Sequence, residues 1–489
     1  MESSKSISSL SIKNSFWNLF GYFIRKIVGT ISFIILARIL FKSDFGLISA
    51  VRVFLDAVLI VRDMGFSAFL IYQKNDTKNT ANLIFFFNIF SAFLLYFILF
   101  FSAPLIANFY KEEIVSSIIR TLGLLLLIES FSLTHLTLLT KELQFKKKSI
   151  AEIISTSITF IISIILAFKH YGIWSLIYGN LVGSLVNSFI VYFLYSFKPV
   201  WKLDFKLLKD IFKYGSFVTG SNLINFFSFN MAYLIIGRFL GMEVLAIFTM
   251  AYNLANWTSE HFIYIISRVA FPVFSLIQDN KVALKKGYLK IIQYTFIFVF
   301  PAIIGLFFLS KEFVLTVYTA KWIEVIVVLK ILLFWSLFHS IFILLDSILQ
   351  SIGYPSVSFK INLMKIIFSI PIYIFIIPYG IIAFTIAITI IQFLFNFVLA
   401  FKTYKIIELQ FIEIIKIIKT PFISGILMIG TIFISRFILS FIKMPQLINL
   451  IILTIANGFL YFLFFYKLDF NLLKELKKIG QNVFSFKKV

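Results

Sequence analysis

The chain is a succession of apolar runs, most of about twenty residues or more, separated by short breaks rich in glycine, proline and lysine. A run of that length, coiled as an α-helix rising 1.5 Å per residue, matches the ~30 Å hydrocarbon core of a bilayer. In hydrocarbon no water replaces a missing hydrogen bond, so the backbone must satisfy itself within a helix or around a closed barrel. Barrel strands are segments of about ten residues with alternating polarity, whereas these runs are longer and apolar all round, so they read as helices. An apolar share of 60% and a charged share of 14%, with a mean hydropathy of +0.99, exclude a water-soluble globule. Such a globule is nearer half apolar and about a quarter charged.

Placed between their breakers, the runs fall near residues 15–41, 44–72, 82–109, 114–139, 149–168, 173–196, 211–238, 243–268, 290–309, 322–350, 355–377, 380–401, 418–440 and 447–466, about fourteen spans. Lysines and arginines near helix ends are retained on the cytoplasmic side. With the N-terminus inside, the inside segments carry Lys141, Lys146, Lys147 and Lys148, then Lys198, Lys202, Lys206, Lys209 and Lys213, then Lys281, Lys285, Lys286 and Lys290, and the tail from Lys467 to Lys488. The outside segments carry Lys42, Lys111, Lys169, Lys311, Lys321 and Lys443. This bias places both termini in the cytoplasm and predicts an even number of spans. It also absorbs the net charge of +23, so no nucleic-acid partner is implied. The first run follows "MESSKSISSLSIKN" without a small-residue cleavage pattern, so the first span is expected to be retained. Loops of at most about twenty residues are too short for a folded domain outside the membrane.

The chain repeats. "ARILFKSDFGLI" and "GRFLGMEVLAIF" align Arg38 with Arg238 and Leu40 with Leu240, each at the end of one span and the start of the next. "KLDFKLLKDIFKYG" at 202–215 recurs as "KLDFNLLKELKKIG" at 467–480, and both read as cytoplasmic interfacial helices. An even number of spans separates the Arg38 and Arg238 motifs, so the halves run parallel. Parallel repeats build a central cavity between two lobes that can rock open to either side.

Charge inside a span costs about 2.5–3.5 kcal/mol on insertion scales, so each such residue needs a partner or a wet surface. Arg25 and Lys26 lie well inside the first run. In the second, Arg52, Asp56 and Asp63 fall at i, i+4 and i+7, with Arg62 alongside. The eighth carries Asn253, Asn256, Glu260, Tyr264 and Arg268 at three- and four-residue spacing. In the tenth His339, Asp346 and Gln350 share a face, while Glu129 and His135 lie in the fourth. For any one residue a structural ion pair is as good a reading as a ligand site. As a set, Arg25, Lys26, Arg52, Arg62 and Arg268 suit a phosphate-bearing substrate, since guanidinium grips phosphate bidentately. Asp56, Asp63, Glu260 and Asp346 are candidates for carrying protons or sodium. Arg38 and Arg238, at helix ends, are expected to snorkel or to bond terminal carbonyls.

The segments "YGSFVTGSNLINFF", "LIIGRFLGMEVLAIFTMAYNL", "SRVAFPVFSLIQDN", "DMGFSAFLIYQK" and "KELQFKKKSIAEIIS" resemble the polysaccharide transporter family. These are the Wzx-type flippases of lipid-linked oligosaccharides, within the superfamily that includes MATE exporters and the lipid II flippase. The resemblance implies an all-α fold of about fourteen transmembrane helices. Its parts would be an N-terminal lobe over 1–196, a cytoplasmic linker helix over 197–213, a C-terminal lobe over 214–401, two additional spans over 402–466 and a basic tail over 467–489. It implies a flippase of the bacterial inner membrane moving undecaprenyl-pyrophosphate-linked repeat units to the periplasmic leaflet, for O-antigen, capsule or exopolysaccharide, with membrane lipids and a polysaccharide polymerase as candidate partners. Arg25, Arg52 and Arg268 resemble in placement the arginines that relatives use around a cationic cavity. One departure is that relatives often carry an acidic residue before the "LIIGR" run, where this chain has Ala232 or Tyr233.

Two other function classes are open to a many-span chain. A cation-coupled exporter of small molecules, as in MATE proteins, wants an acidic cavity, which the buried arginines argue against. A membrane enzyme needs a catalytic constellation, and His135, His170, His261 and His339 show no ligand spacing, while cysteine is absent. The chain therefore reads as a carrier without a cofactor, not an enzyme.

Overall fold

The computed structural model describes the backbone of residues 2–73, 77–201, 205–342, 344–470, 472 and 474 and, outside 2–16, 205–214, 217, 218, 221 and 260–273, their side chains. Among the described residues every regular element is a helix. The chain divides into two compact units, Met1–Ala246 and Ile247–Val489.

The first unit holds α1 (Glu2–Ile39), α2 (Lys42–Asp63), α3 (Phe66–Tyr72), α4 (Thr77–Tyr110), α5 (Ile114–Lys141), α6 (Phe145–Phe168), α7 (Ile173–Leu194) and α8 (Phe205–Phe239), and it ends within α9 (Met242–Leu276). The turns between these helices follow from local chemistry. Asp44 accepts a hydrogen bond from the amide of Phe41 at 3.0 Å, closing the first turn of α2. Between α2 and α3, Met64 and Gly65 take φ of +43° and +70°, a left-handed pair that only a glycine-containing break tolerates easily. α8 is continuous from Phe205, so residues 205–213 of the expected linker helix run directly into the seventh span. The side chains of Lys206, Lys209 and Lys213 lie outside the described residues.

The second unit holds the rest of α9 and α10 (Lys281–Phe308), α11 (Ser310–Phe313), α12 (Val325–Phe342), α13 (Leu345–Ser351), α14 (Pro355–Ile376), α15 (Gly380–Ile407), α16 (Phe411–Ser440) and α17 (Gln446–Leu468). α10 packs on α12, α15, α16 and α17. Phe296, Phe300 and Ile304 of α10 meet Met428, Ile432, Leu453 and Tyr461 in one apolar cluster. The Tyr461 hydroxyl donates to Ile297 O at 3.1 Å, so this phenol is satisfied although its residue is fully buried. Towards the other end of α10, the Tyr288 and Tyr404 hydroxyls lie 3.0 Å apart within a second cluster.

Helices stand in every one of the runs read from the sequence. Ten stretches of the described residues are long and apolar enough to cross a membrane, and one of them, Pro355–Ile407, holds both α14 and α15. Counting α14 and α15 separately, eleven such helices stand among the described residues, and the side chains of parts of α8 and α9 lie outside them. α2 stands apart because Lys42, Asp44, Arg52, Asp56, Arg62 and Asp63 interrupt its 22 residues. The protein is a multi-pass, all-helical membrane protein.

Close packing in the first unit relies on small residues. α6 and α7 lie alongside each other, as do α1 and α6, and α5 and α7. Gly179 and Gly183 form a G-x-x-x-G pair on α7, the arrangement that lets membrane helices approach backbone to backbone. A Cβ at Gly179 would lie 1.9 Å from Ser163 Oγ and 2.7 Å from Thr159 O, and one at Gly183 would lie 1.7 Å from Thr159 Oγ1. The turns of the sequence repeat also touch, since a Cβ at Gly46 would lie 1.8 Å from Met242 O. Gly179→Val is expected to cost about 1–3 kcal/mol, the range for overpacking a well-filled contact. A melting temperature in detergent unchanged from the parent protein would contradict the tight α6–α7 contact.

Candidate functional site

The polar residues of α6 and α7 lie on facing stripes. Glu152, Ser155, Thr156 and Thr159 recur at i, i+3, i+4 and i+7 along α6, and Asn180, Gly183, Ser184 and Asn187 do the same along α7. With Arg25 from α1 and Leu125 and Glu129 from α5, these residues line a cavity of about 340 Å³ inside the first unit. Leu125 is the one apolar side chain of any size in that lining.

The charges of the cavity are paired. Arg25 Nη1 forms an ion pair with Glu152 Oε2, the two side chains being 23% and 24% exposed. Arg62, at the end of α2, is buried and donates from Nη1 to Glu129 Oε2 at 3.3 Å and to Leu126 O at 3.2 Å. Glu129 in turn accepts from Ser184 Oγ at 3.4 Å. Arg52, exposed on α2, donates from Nη2 to Asn180 Oδ1 at 3.1 Å, and Asp56 follows one turn later. Asn180 is itself held by its Nδ2 donating to Leu176 O at 2.7 Å. Asn187 Oδ1 is shielded from solvent and has no hydrogen-bond partner among the described residues.

Three of the five cations picked out in the sequence therefore converge. Arg25 lines the cavity, while Arg52 and Arg62 are bonded to residues that line it. Lys26 points elsewhere, exposed, with Nζ 5.9 Å from the centroid of the Tyr22 ring. The side chains of Arg268 and Glu260 lie outside the described residues. Asp63 accepts from Ser67 N at 3.3 Å and Ser67 Oγ at 2.5 Å, capping the start of α3. Asp346, in the second unit, accepts from Ser358 Oγ.

Sequence reasoning passed over Glu152, the two asparagines and the serine and threonine stripe. The signal was present as small polar residues at helical spacing inside apolar runs. It also passed over Lys365, which is buried on α14 within electrostatic reach of Asp346 and of His339. His339 stacks on Trp335 with ring centroids 4.8 Å apart. His135 is a packing residue: its Nε2 donates to Phe197 O at 3.1 Å among Phe85, Tyr192 and Phe197. Arg238 bonds Asn108 O at 3.3 Å and Phe109 O at 2.6 Å, at the C-terminus of α4, as its helix-end position suggests.

Comparison with known proteins agrees with this architecture. The chain is 30% identical over 275 residues to the teichuronic acid biosynthesis protein TuaB of Bacillus subtilis, covering 56% of this chain and 57% of that one. It is 26% identical over 372 residues to the lipopolysaccharide biosynthesis protein WzxC of Escherichia coli, covering 75% of each. Among solved structures it is similar to the lipid II flippase MurJ in an inward closed conformation, with a TM-score of 0.75 at 15% identity over 93% of this chain and 99% of that one. At that identity the likeness speaks for the fold. The model of a family described as polysaccharide biosynthesis protein matches residues 35–327, more than half of the chain, and the chain belongs to that family.

Proposed function

We propose that the protein is a flippase for a lipid-linked oligosaccharide. In this reading it carries undecaprenyl-pyrophosphate-linked repeat units from the cytoplasmic to the periplasmic leaflet of the bacterial inner membrane by alternating access, supplying surface polysaccharide assembly. It is a carrier and not an enzyme, its termini are cytoplasmic by the lysine bias, and its partners are the lipid-linked glycan, the bilayer and a polymerase. Family membership, relatives that carry polysaccharide biosynthesis names and the flippase-like fold support this reading.

The observation that carries it is the polar cavity inside an otherwise apolar unit. A headgroup of sugars and phosphates cannot cross hydrocarbon, so a carrier must give it a polar chamber while leaving the lipid tail in the bilayer. Arg25 and Arg52 supply cationic donors for phosphate oxygens, and the amides and hydroxyls of α6 and α7 suit sugar hydroxyls. Coupling to protons or sodium through Asp56, Asp63, Glu260 or Asp346 belongs to the same proposal. An exporter of organic cations would need uncompensated carboxylates, yet Glu129 and Glu152 each face a guanidinium.

In a strain whose own copy is deleted, Arg25→Ala and Arg52→Ala are each expected to lower surface polysaccharide at least about tenfold, since a charge-assisted hydrogen bond is worth about 1.5–3 kcal/mol. The protein should still reach parental abundance in membranes, quantified by immunoblot. Full polysaccharide in both variants would remove this cavity from transport. Deletion of the gene is expected to leave sensitivity to cationic drugs unchanged, and a fourfold fall in inhibitory concentration would favour the exporter instead.

A further inference from the structure

Of the two ion pairs at the cavity, Arg25–Glu152 is the one in which both side chains are partly exposed. Arg62 is 4% exposed and anchored by Leu126 O as well as Glu129, so its guanidinium is fixed behind the lining. The side chains of Arg25 and Glu152 are both about a quarter exposed and face each other across the lining. A partly wetted pair exchanges partners at far lower cost than a buried one, because water covers the intermediate states.

The charge of the lining makes such an exchange consequential. Among the groups that line the cavity, one guanidinium meets two carboxylates. An anion that enters therefore finds Arg25 occupied and Glu129 nearby. A singly charged anion gains nothing by replacing a carboxylate with another of equal charge. A diphosphate has more charge and more acceptor oxygens, and can hold the guanidinium through two parallel hydrogen bonds.

We propose that Glu152 is a built-in counter-anion for Arg25, displaced by the diphosphate of the ligand, and that it thereby sets which anions the cavity accepts. The inference rests on the flippase reading given above and adds the residue that determines anion specificity. Glu152 has somewhere to go once displaced. Ser155, Thr156 and Thr159 lie on its own face of α6, and the hydroxyls of Ser155 and Thr159 donate to the backbone carbonyls of Glu152 and Ser155, at 3.1 Å and 2.9 Å. Such hydroxyls can rotate to donate to a freed carboxylate. The charged neighbours from the packed helices are Arg25 on α1 and Glu129 on α5, while α7 contributes only neutral amides and hydroxyls to the lining. Occupation by Glu152 also keeps the empty cavity from filling with the monovalent anions of the cytoplasm.

The test is titration of the purified full chain in nanodiscs with inorganic pyrophosphate and, separately, chloride or acetate, followed by calorimetry. Glu152→Gln is expected to tighten pyrophosphate binding about tenfold or more and to allow monovalent anions to compete, because the guanidinium loses its resident charge but keeps an amide of the same shape. Glu152→Asp keeps the counter-charge and should stay within about threefold of the parent. In Arg25→Ala with Glu152→Gln the gain should vanish. If Glu152→Gln binds pyrophosphate more weakly than the parent, or equally, Glu152 only positions Arg25 and the proposal is overturned. Should Glu152→Gln unfold, a Glu152→Asp variant that releases the anion selectivity would overturn it equally, and one that retains it would support it. These outcomes are separate from the flippase reading, which is tested by surface polysaccharide in Arg25→Ala and Arg52→Ala and by drug sensitivity of the deletion strain.

Discussion

An ionised side chain in an apolar helical bundle needs an opposite charge or water, since the desolvation of an unpaired ion costs several kcal/mol. That requirement organises the polar interior of the first unit. Arg62, the most buried of its arginines, is tied to Glu129 and to a backbone carbonyl. Arg25, nearer the wetted space, is tied to Glu152. Arg52, exposed, is held by the amide of Asn180. The strength of the partner thus falls as access to water rises, as a balance between desolvation and Coulomb attraction demands.

The cavity that results is mixed in charge, and this changes how a phosphate-bearing ligand would be recognised. A row of unpaired guanidiniums would hold any anion tightly and release it slowly. A chamber whose cations are already balanced offers a ligand only the difference between its own contacts and those it replaces. Carriers need that difference to be modest, because a ligand bound too well is not let go. The room for the chamber comes from packing: Gly179 and Gly183 bring the backbone of α7 against α6, and the polar stripes beside them turn towards α1 and α5.

Much of this was legible in the sequence, because the bilayer limits the choices so strongly. Run length and apolarity gave the helices, and the helix ends at Arg38 and Arg238 followed from charge. Arg25, Arg52 and Arg62 stand out in the sequence because charge inside an apolar run is rare. Their partners were harder to see. Glu152 sits close after Lys146, Lys147 and Lys148, where a carboxylate looks like part of a hydrophilic helix end. Serine, threonine and asparagine on α6 and α7 are individually cheap in a membrane helix and signal little until both stripes are seen to face each other. What the sequence did not show for Asp63 is that the break at Met64 and Gly65 lets its side chain also cap the next helix. Periodicity carries no information about where such a break falls relative to the carboxylate.

The second unit applies the same rule with another outcome. Lys365 is 6% exposed on α14, and the residues that reach it electrostatically are Asp346 and His339, on α13 and α12. A lysine ammonium is a compact, strongly hydrated charge, unlike the broad guanidinium. A carboxylate within reach offsets part of the cost of burying it, and Asp346, which also accepts from Ser358, acts on Lys365 in that sense. An acidic group read by itself in the tenth span suggests a place for a mobile cation. With Lys365 within electrostatic reach, a proton or sodium ion at the same aspartate would share its field with a cation covalently attached to the fold. Aspartate and lysine in the second unit thus influence each other electrostatically, whereas Glu152 and Arg25 in the first form an ion pair on the lining of a polar chamber.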